Sequence, residues 1–429
     1  MPYLAPQDLP GRTLRRVTRR LMPFLFVLYI IAYIDRINIG FAGLQMTGEL
    51  HFSDAVFGFG SGVFFVGYGL LGIPGAVLIE KWSARKAIAV TMLIWGFVAS
   101  ATGLIHSAPE FYAMRFILGV TEAGFFPGVI AYLSHWYRAQ DRAKAVAMFM
   151  AAIPVSQVIA APLSAALMKI TWLNLAGWRW LLILEGAPAV IAAIVSFVYL
   201  ADRPRDAKWL APDEREWLDA ELAREHALKT AGKRMSLWDA LRHPDVLLLA
   251  LAYFCGTCGT YGLALWMPKM IQRLGHLSVA KSSLLSAIPA LVTIPAMLLN
   301  GWHSDRVRER RWHTSIPRFV SAVALATLAV AMVNVPAAII LLTLGSAGIV
   351  AGYPTIWSIP SSFLGATAAA ASIGLINSFG NLGGFAGPYL IGLFSSLTGA
   401  FSGGMWFIAS GALVSAILVL LVRQRPDRG

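Results

Sequence analysis

The chain is 429 residues long, 57% hydrophobic and only 13% charged, with a mean hydropathy of +0.66. Soluble domains carry about 25% charged residues, so the composition excludes a soluble globular protein and points to an integral membrane protein. A formal charge of +13 and a pI near 10 would suggest nucleic-acid binding in a soluble chain. Here the charge is read as membrane topology.

Apolar runs of about 20 residues, the length that spans a bilayer, occur twelve times: 22–44, 56–79, 87–105, 111–133, 145–168, 180–200, 246–268, 282–302, 319–334, 337–359, 371–394 and 403–422. An even number puts both termini on one side. Lys and Arg choose that side, because positive loops stay in the cytoplasm. The N-terminal arm carries Arg12, Arg15, Arg16, Arg19 and Arg20, and the even-numbered loops carry Lys81, Arg85, Lys86, Arg138, Arg142, Lys144, Arg306, Arg308, Arg310 and Arg311. The odd-numbered loops hold only Lys169, Arg179, Lys269, Arg273 and Lys281. Both termini are therefore expected in the cytoplasm. The first run is too long for a signal peptide and lacks a small-residue cleavage site, so it reads as a retained span.

The one long polar segment lies between runs six and seven and divides the chain into a six-span bundle at 1–200, a linker at 201–245 and a second bundle at 246–429. Within it Pro212, Asp213 and Glu214 mark the first turn of a solvated linker helix. The halves echo one another: GAVLIEKWSARKA follows run two and GWHSDRVRERR follows run eight. Parallel six-helix repeats are a transporter architecture with the cargo site between the halves. The only cysteines, Cys255 and Cys258 in CGTC, lack both the thioredoxin-like setting and the four ligands of a zinc site, and read as small residues one turn apart.

Charges inside the runs are Asp35, Arg36, Arg115, Glu122 and Glu185. Each costs about 2.5–3.5 kcal/mol even on a lenient insertion scale, and such residues mark substrate or proton pathways. On run four, Arg115 and Glu122 lie about two turns apart and face the same way. Fixed salt bridges are the structural alternative, but desolvation makes a buried ion pair weak support for stability. Glu185 reads as an anchor for helix six. Tyr33, Tyr68, Gln157, Trp357 and Asn377 occupy plausible cavity positions; amides suit hydroxyls and rings cover an apolar ligand face. Dense glycines on helices two and eleven suit close helix packing.

The two echoing loops resemble the Gly-x-x-x-Asp-Arg-x-Gly-Arg-Arg pattern of the major facilitator superfamily. The second copy keeps Gly301, Asp305 and Arg306 but has Arg308 at the second glycine; the first has Ala76, Glu80, Lys81 and Ser83. With YIDRINIGFA on helix one, RFILGVTEAGFFPG on helix four, DAKWLAPDEREW in the linker and GWHSDRVRERRWH after helix eight, the whole chain is similar to the anion:cation symporter family, which includes permeases for tartrate, galactonate, phthalate and hydroxyphenylacetate. The resemblance implies an all-α integral membrane fold of the major-facilitator type, with twelve transmembrane helices in two six-helix pseudo-repeats. It implies a transporter rather than an enzyme, a monomer in the bacterial inner membrane that binds no nucleic acid and takes up a small organic anion with protons, without a metal or organic cofactor.

By the same resemblance Asp35 and Glu122 are proton-coupling acids, Arg36 and Arg115 bind the carboxylate, and Glu80, Arg85, Asp305 and Arg306 form a gating latch. A carboxylate that loses its guanidinium favours its protonated form. Cargo that engages Arg115 is then expected to free Glu122 to take a proton, and the coupling must be reciprocal. A drug exporter is the near rival, but its class carries a glycine-rich motif on helix five, where this chain reads AAIPVSQVIAAPLSAAL. The eight histidines lie in or near loops without HExxH spacing, which argues against a metalloenzyme.

Overall fold

The computed structural model describes residues 9–81, 83–229, 243–331, 334–360 and 366–423, and only the backbone of 72–81, 143, 226–229 and 366–371. Away from water every backbone N–H and C=O must find an internal partner, which helices provide within one segment. The described residues accordingly form helices and short connections, with no strand among them.

The first half runs through α1 (Leu9–Glu49), α2 (Asp54–Lys81), α3 (Ala84–Thr102), α4 (Ala108–Glu122), α5 (Phe125–Ser134), α6 (Ala139–Met150), α7 (Ala152–Leu167) and α8 (Gly177–Tyr199). α4 with α5, and α6 with α7, each make one broken span. The linker supplies α9 (Pro212–Lys229). The second half contains α10 (Pro244–Gly275), α11 (Val279–Leu285), α12 (Ala287–Val307), α13 (Arg311–Val330), α14 (Val335–Ala351), α15 (Tyr353–Ile356), α16 (Ala366–Thr398) and α17 (Ser402–Leu421). Eleven of the resulting spans are long and apolar enough to cross a membrane. The twelfth is α16, a 33-residue helix packed against α2, α10 and α17.

α1 is longer than its apolar run. Its 41 residues extend about 60 Å at 1.5 Å per residue, roughly twice the hydrocarbon thickness. The first turns therefore stand beyond the bundle and present Arg12 and Arg16 to the linker. Arg16 Nη1 lies 2.6 Å from Glu214 Oε2 and Arg12 Nε lies 3.0 Å from Glu214 Oε1, while Arg12 also pairs with Asp213. Both acids occupy the first turn of α9, where the helix dipole favours them. At the far end of the same helix Glu225 holds Arg142 at 3.1 Å. The linker helix is thus docked on the first half by charge.

After α12, Arg308 caps the helix in the left-handed region at φ +53°. This is the position where the superfamily loop pattern has its second glycine. A side chain there costs about 1–2 kcal/mol, which glycine avoids.

Small residues set the distance between helices. A Cβ added at Gly119 of α4 would lie 1.9 Å from the Phe64 carbonyl oxygen of α2, and one at Gly387 of α16 would lie 2.1 Å from the Cys258 carbonyl oxygen of α10. Cys255 and Cys258 are free thiols, and Cys258 serves in this packing. Across the two halves, a Cβ at Gly58 would meet the Pro388 carbonyl at 2.5 Å. At Gly69, on the same helix α2, an added Cβ would have nothing within 4 Å. Gly119→Ala is expected to destabilise by about 1–3 kcal/mol through overpacking, and Gly69→Ala to be neutral or to stabilise by up to about 1 kcal/mol. Unfolding of the detergent-solubilised variants measures both.

Candidate functional site

Helices one and four bring Asp35, Arg36, Arg115 and Glu122 together in the interior, at 2%, 6%, 1% and 0% exposure. The pairing runs between the helices. Arg36 Nη2 donates to Glu122 Oε1, and Arg36 Nη1 reaches the Tyr261 hydroxyl of α10 at 3.4 Å. Arg115 lies within electrostatic range of Asp35, and its Nε and Nη2 have no hydrogen-bond partner among the described residues. The expectation that Arg115 is the partner of Glu122 is therefore replaced: Glu122 is held by Arg36. Two turns separate Arg115 from Glu122 along their own helix, whereas α1 offers Glu122 a guanidinium directly.

Aromatic faces surround the cations. The Arg36 guanidinium lies 5.0 Å from the Tyr68 ring and 5.7 Å from Tyr33, and Arg115 lies 5.0 Å from Phe64. Such contacts contribute about 2 kcal/mol or more when desolvated. A residue not singled out in the sequence joins the acids: Asn38 Nδ2 donates to Asp35 Oδ1 at 3.2 Å. Its spacing from Asp35, one turn along α1, is the signal that could have found it. Glu185 is 4% exposed and accepts from Ser164 Oγ at 3.3 Å, so it belongs to the polar interior as well as to helix six.

Gln157 lines a small cavity of about 60 Å³ between the halves, with Phe41, Thr260, Met267, Thr293 and Ser346. This space adjoins the charged group through Ile37 but is not walled by Asp35 or Arg115. Trp357 packs edge-on against Tyr253 with ring centres 4.6 Å apart, and Asn377 is half-buried on α16.

Arg85, Asp305 and Arg306 of the expected latch make local contacts. Arg85 lies 3.7 Å from Asp202, which also accepts from the Arg85 backbone N–H at 3.0 Å and from Ser83. Asp305 pairs with Arg310 at 2.5 Å, and Arg306 stacks over Trp302. The side chain of Glu80 lies outside the described residues.

At the opposite end of the bundle the halves are joined by charge. Asp54, at the start of α2, receives Lys269 Nζ at 2.9 Å, Arg273 Nη1 at 2.5 Å and Nη2 at 2.8 Å, and the Ser395 hydroxyl at 2.6 Å. Lys269 also donates to Thr47 Oγ1 at 2.9 Å. Four helices, α1, α2, α10 and α16, thus meet around one carboxylate. Together with the tight contact of α2 and α16, this closes the bundle at the Asp54 end.

This architecture is that of a transporter with its charged site between two helical bundles. The chain belongs to the Major Facilitator Superfamily, whose model matches residues 25–388, and is a multi-pass membrane transporter, not an enzyme. It is 45% identical over 424 residues to a protein of Agrobacterium vitis named "Putative tartrate transporter", covering 98% of this chain and 97% of that one. It is 37% identical to a "Quinolone resistance transporter" of Acinetobacter baumannii, covering 98% and 97%. In fold it matches a bacterial homologue of the human lysosomal transporter Spinster, with a TM-score of 0.74 at 18% identity over 97% of this chain and 96% of that one.

Removing Asp54 leaves the Lys269 and Arg273 cations facing each other with no anion between them. Spin labels at Gly48 and Leu274, both exposed at this end and on opposite halves, should move apart in Asp54→Ala. An unchanged distance distribution means the closed end is held by packing alone.

Proposed function

We propose that this protein takes up a small organic carboxylate, of the tartrate or sugar-acid kind, together with protons by alternating access across the bacterial inner membrane. The observation that carries the reading is the buried Arg36–Glu122 pair beside Arg115, whose guanidinium has donors without partners among the described residues. A guanidinium fork matches a carboxylate in two parallel hydrogen bonds. The name of the Agrobacterium vitis relative gives the same class of cargo.

In this mechanism the cargo enters from the open end and bonds Arg115, then competes with Glu122 for Arg36. Glu122, deprived of its counter-charge, accepts a proton, and Asp35 serves as the second acid beside Asn38. With charges neutralised in pairs, the two halves can swing about the cargo. Protons are the coupling ion, and the mechanism calls for no metal or organic cofactor. The excess of Lys and Arg at the Arg85 end assigns that end to the cytoplasm and the Asp54 end to the outside. The working unit is one chain, because both halves of the site lie within it.

An aromatic acid is the second candidate cargo, favoured by Tyr33 and Tyr68 over the face of Arg36. Uptake of labelled tartrate, galactonate, phthalate and a neutral sugar into proteoliposomes decides between them. Accumulation of one acid driven by an inward proton gradient, with the sugar excluded, is expected. Equal uptake with and without the gradient would make the protein an exchanger or facilitator. Asp35→Asn and Glu122→Gln should abolish accumulation while retaining exchange of substrate; normal accumulation in either variant removes that carboxylate from the coupling path.

A further inference from the structure

The second half holds a buried cation that the proposed mechanism leaves unused. Arg318, on α13, is 0% exposed. Its Nη1 donates to Ser415 Oγ at 2.7 Å, while Nε and Nη2 have no hydrogen-bond partner among the described residues. Its titratable neighbours are Tyr353, Cys255 and Tyr253, phenols and a thiol that are ordinarily uncharged at neutral pH.

Among the described residues of its own half no carboxylate balances it. Between residues 243 and 423 the sequence contains only Asp245, Asp305 and Glu309. All three sit at helix ends, where they engage the Arg423 backbone, Arg310 and His313 respectively. Burying an arginine without an anion is costly, so the counter-charge has to be supplied from elsewhere.

The surroundings show from where. Gly256 of α10 faces the guanidinium: a Cβ there would lie 3.3 Å from Nη2 and 3.7 Å from the Tyr353 hydroxyl. Tyr353 in turn bonds Thr260 Oγ1 at 2.6 Å, and Thr260 lines the cavity between the halves. Five residues further along α10 from Gly256 stands Tyr261, the phenol that meets Arg36.

We propose that Arg318, with the hydroxyl of Tyr353 beside it, is a second carboxylate subsite, so that the cargo is a dicarboxylate bound by the first half at one end and by the second half at the other. This rests on the reading of the protein as an organic-anion transporter and narrows it. A cargo bridging both halves would also report to each that the site is filled.

The test compares tartrate with galactonate, a hydroxy acid with a single carboxylate, in proteoliposomes of the full chain. Wild type should prefer tartrate. Arg318→Met, which keeps length without charge, should lower the tartrate-to-galactonate ratio of kcat/KM at least tenfold, equivalent to about 1.4 kcal/mol, and Arg318→Lys should recover part of it. Should Arg318→Met fail to fold, Gly256→Ala tests the same subsite by placing a methyl group against the guanidinium, and the same fall in ratio is expected. A ratio unchanged within threefold in the folded variant, or a wild-type preference for galactonate, overturns the assignment of Arg318 while leaving carboxylate transport standing. A wild type that carries neither acid overturns both.

Discussion

The Arg36–Glu122 ion pair is the constraint around which the first half is arranged. Neither charge could stay in the interior alone: each depends on the other for compensation, and loss of one partner from such a pair costs about 3–5 kcal/mol. The pair therefore ties α1 to α4 by a side-chain bridge across the interior, beside Asp35 and Arg115. It leaves those two residues near each other without a mutual hydrogen bond. An interior with one satisfied pair and one unsatisfied pair is poised to exchange partners with an incoming anion. A fully satisfied quartet would have no such inclination.

The packing around this site divides into rigid and movable contacts. Within each half, glycines bring backbones so close that no methyl group fits, as at Gly119 against Phe64 and Gly387 against Cys258. Between the halves, contact concentrates at one end, where Asp54 gathers Lys269, Arg273 and Ser395. Polar contacts with some access to water can be broken and remade at lower cost than an interlocked apolar core. Stiff bundles joined by a polar clasp are what a rocking motion requires.

Much of this is legible in the sequence. Twelve apolar runs correspond to the twelve spans, and Asp35, Arg36, Arg115 and Glu122 announce themselves because charges within such runs stand out. What the sequence hides lies at the edges. Asp54 falls two residues before its expected run, Lys269 one residue after, and Arg318 one residue before. A hydropathy window ends where a charge begins, so a charged residue just inside a buried helix is assigned to the loop. Partner choice is also hidden. Helical spacing places Arg115 and Glu122 on one face, but only the folded structure reveals that Arg36 takes Glu122. The arm arginines Arg12 and Arg16 read as topology signals, yet they also hold the linker helix through Glu214.

The clasp at Asp54 and the charged site use different side chains, and their helices are held by different contacts. Residues that line the charged site can therefore be exchanged over evolutionary time without dismantling the clasp that closes the Asp54 end. One scaffold can then serve organisms with different diets or different poisons, each inheriting the machinery of motion and altering only the lining of the chamber.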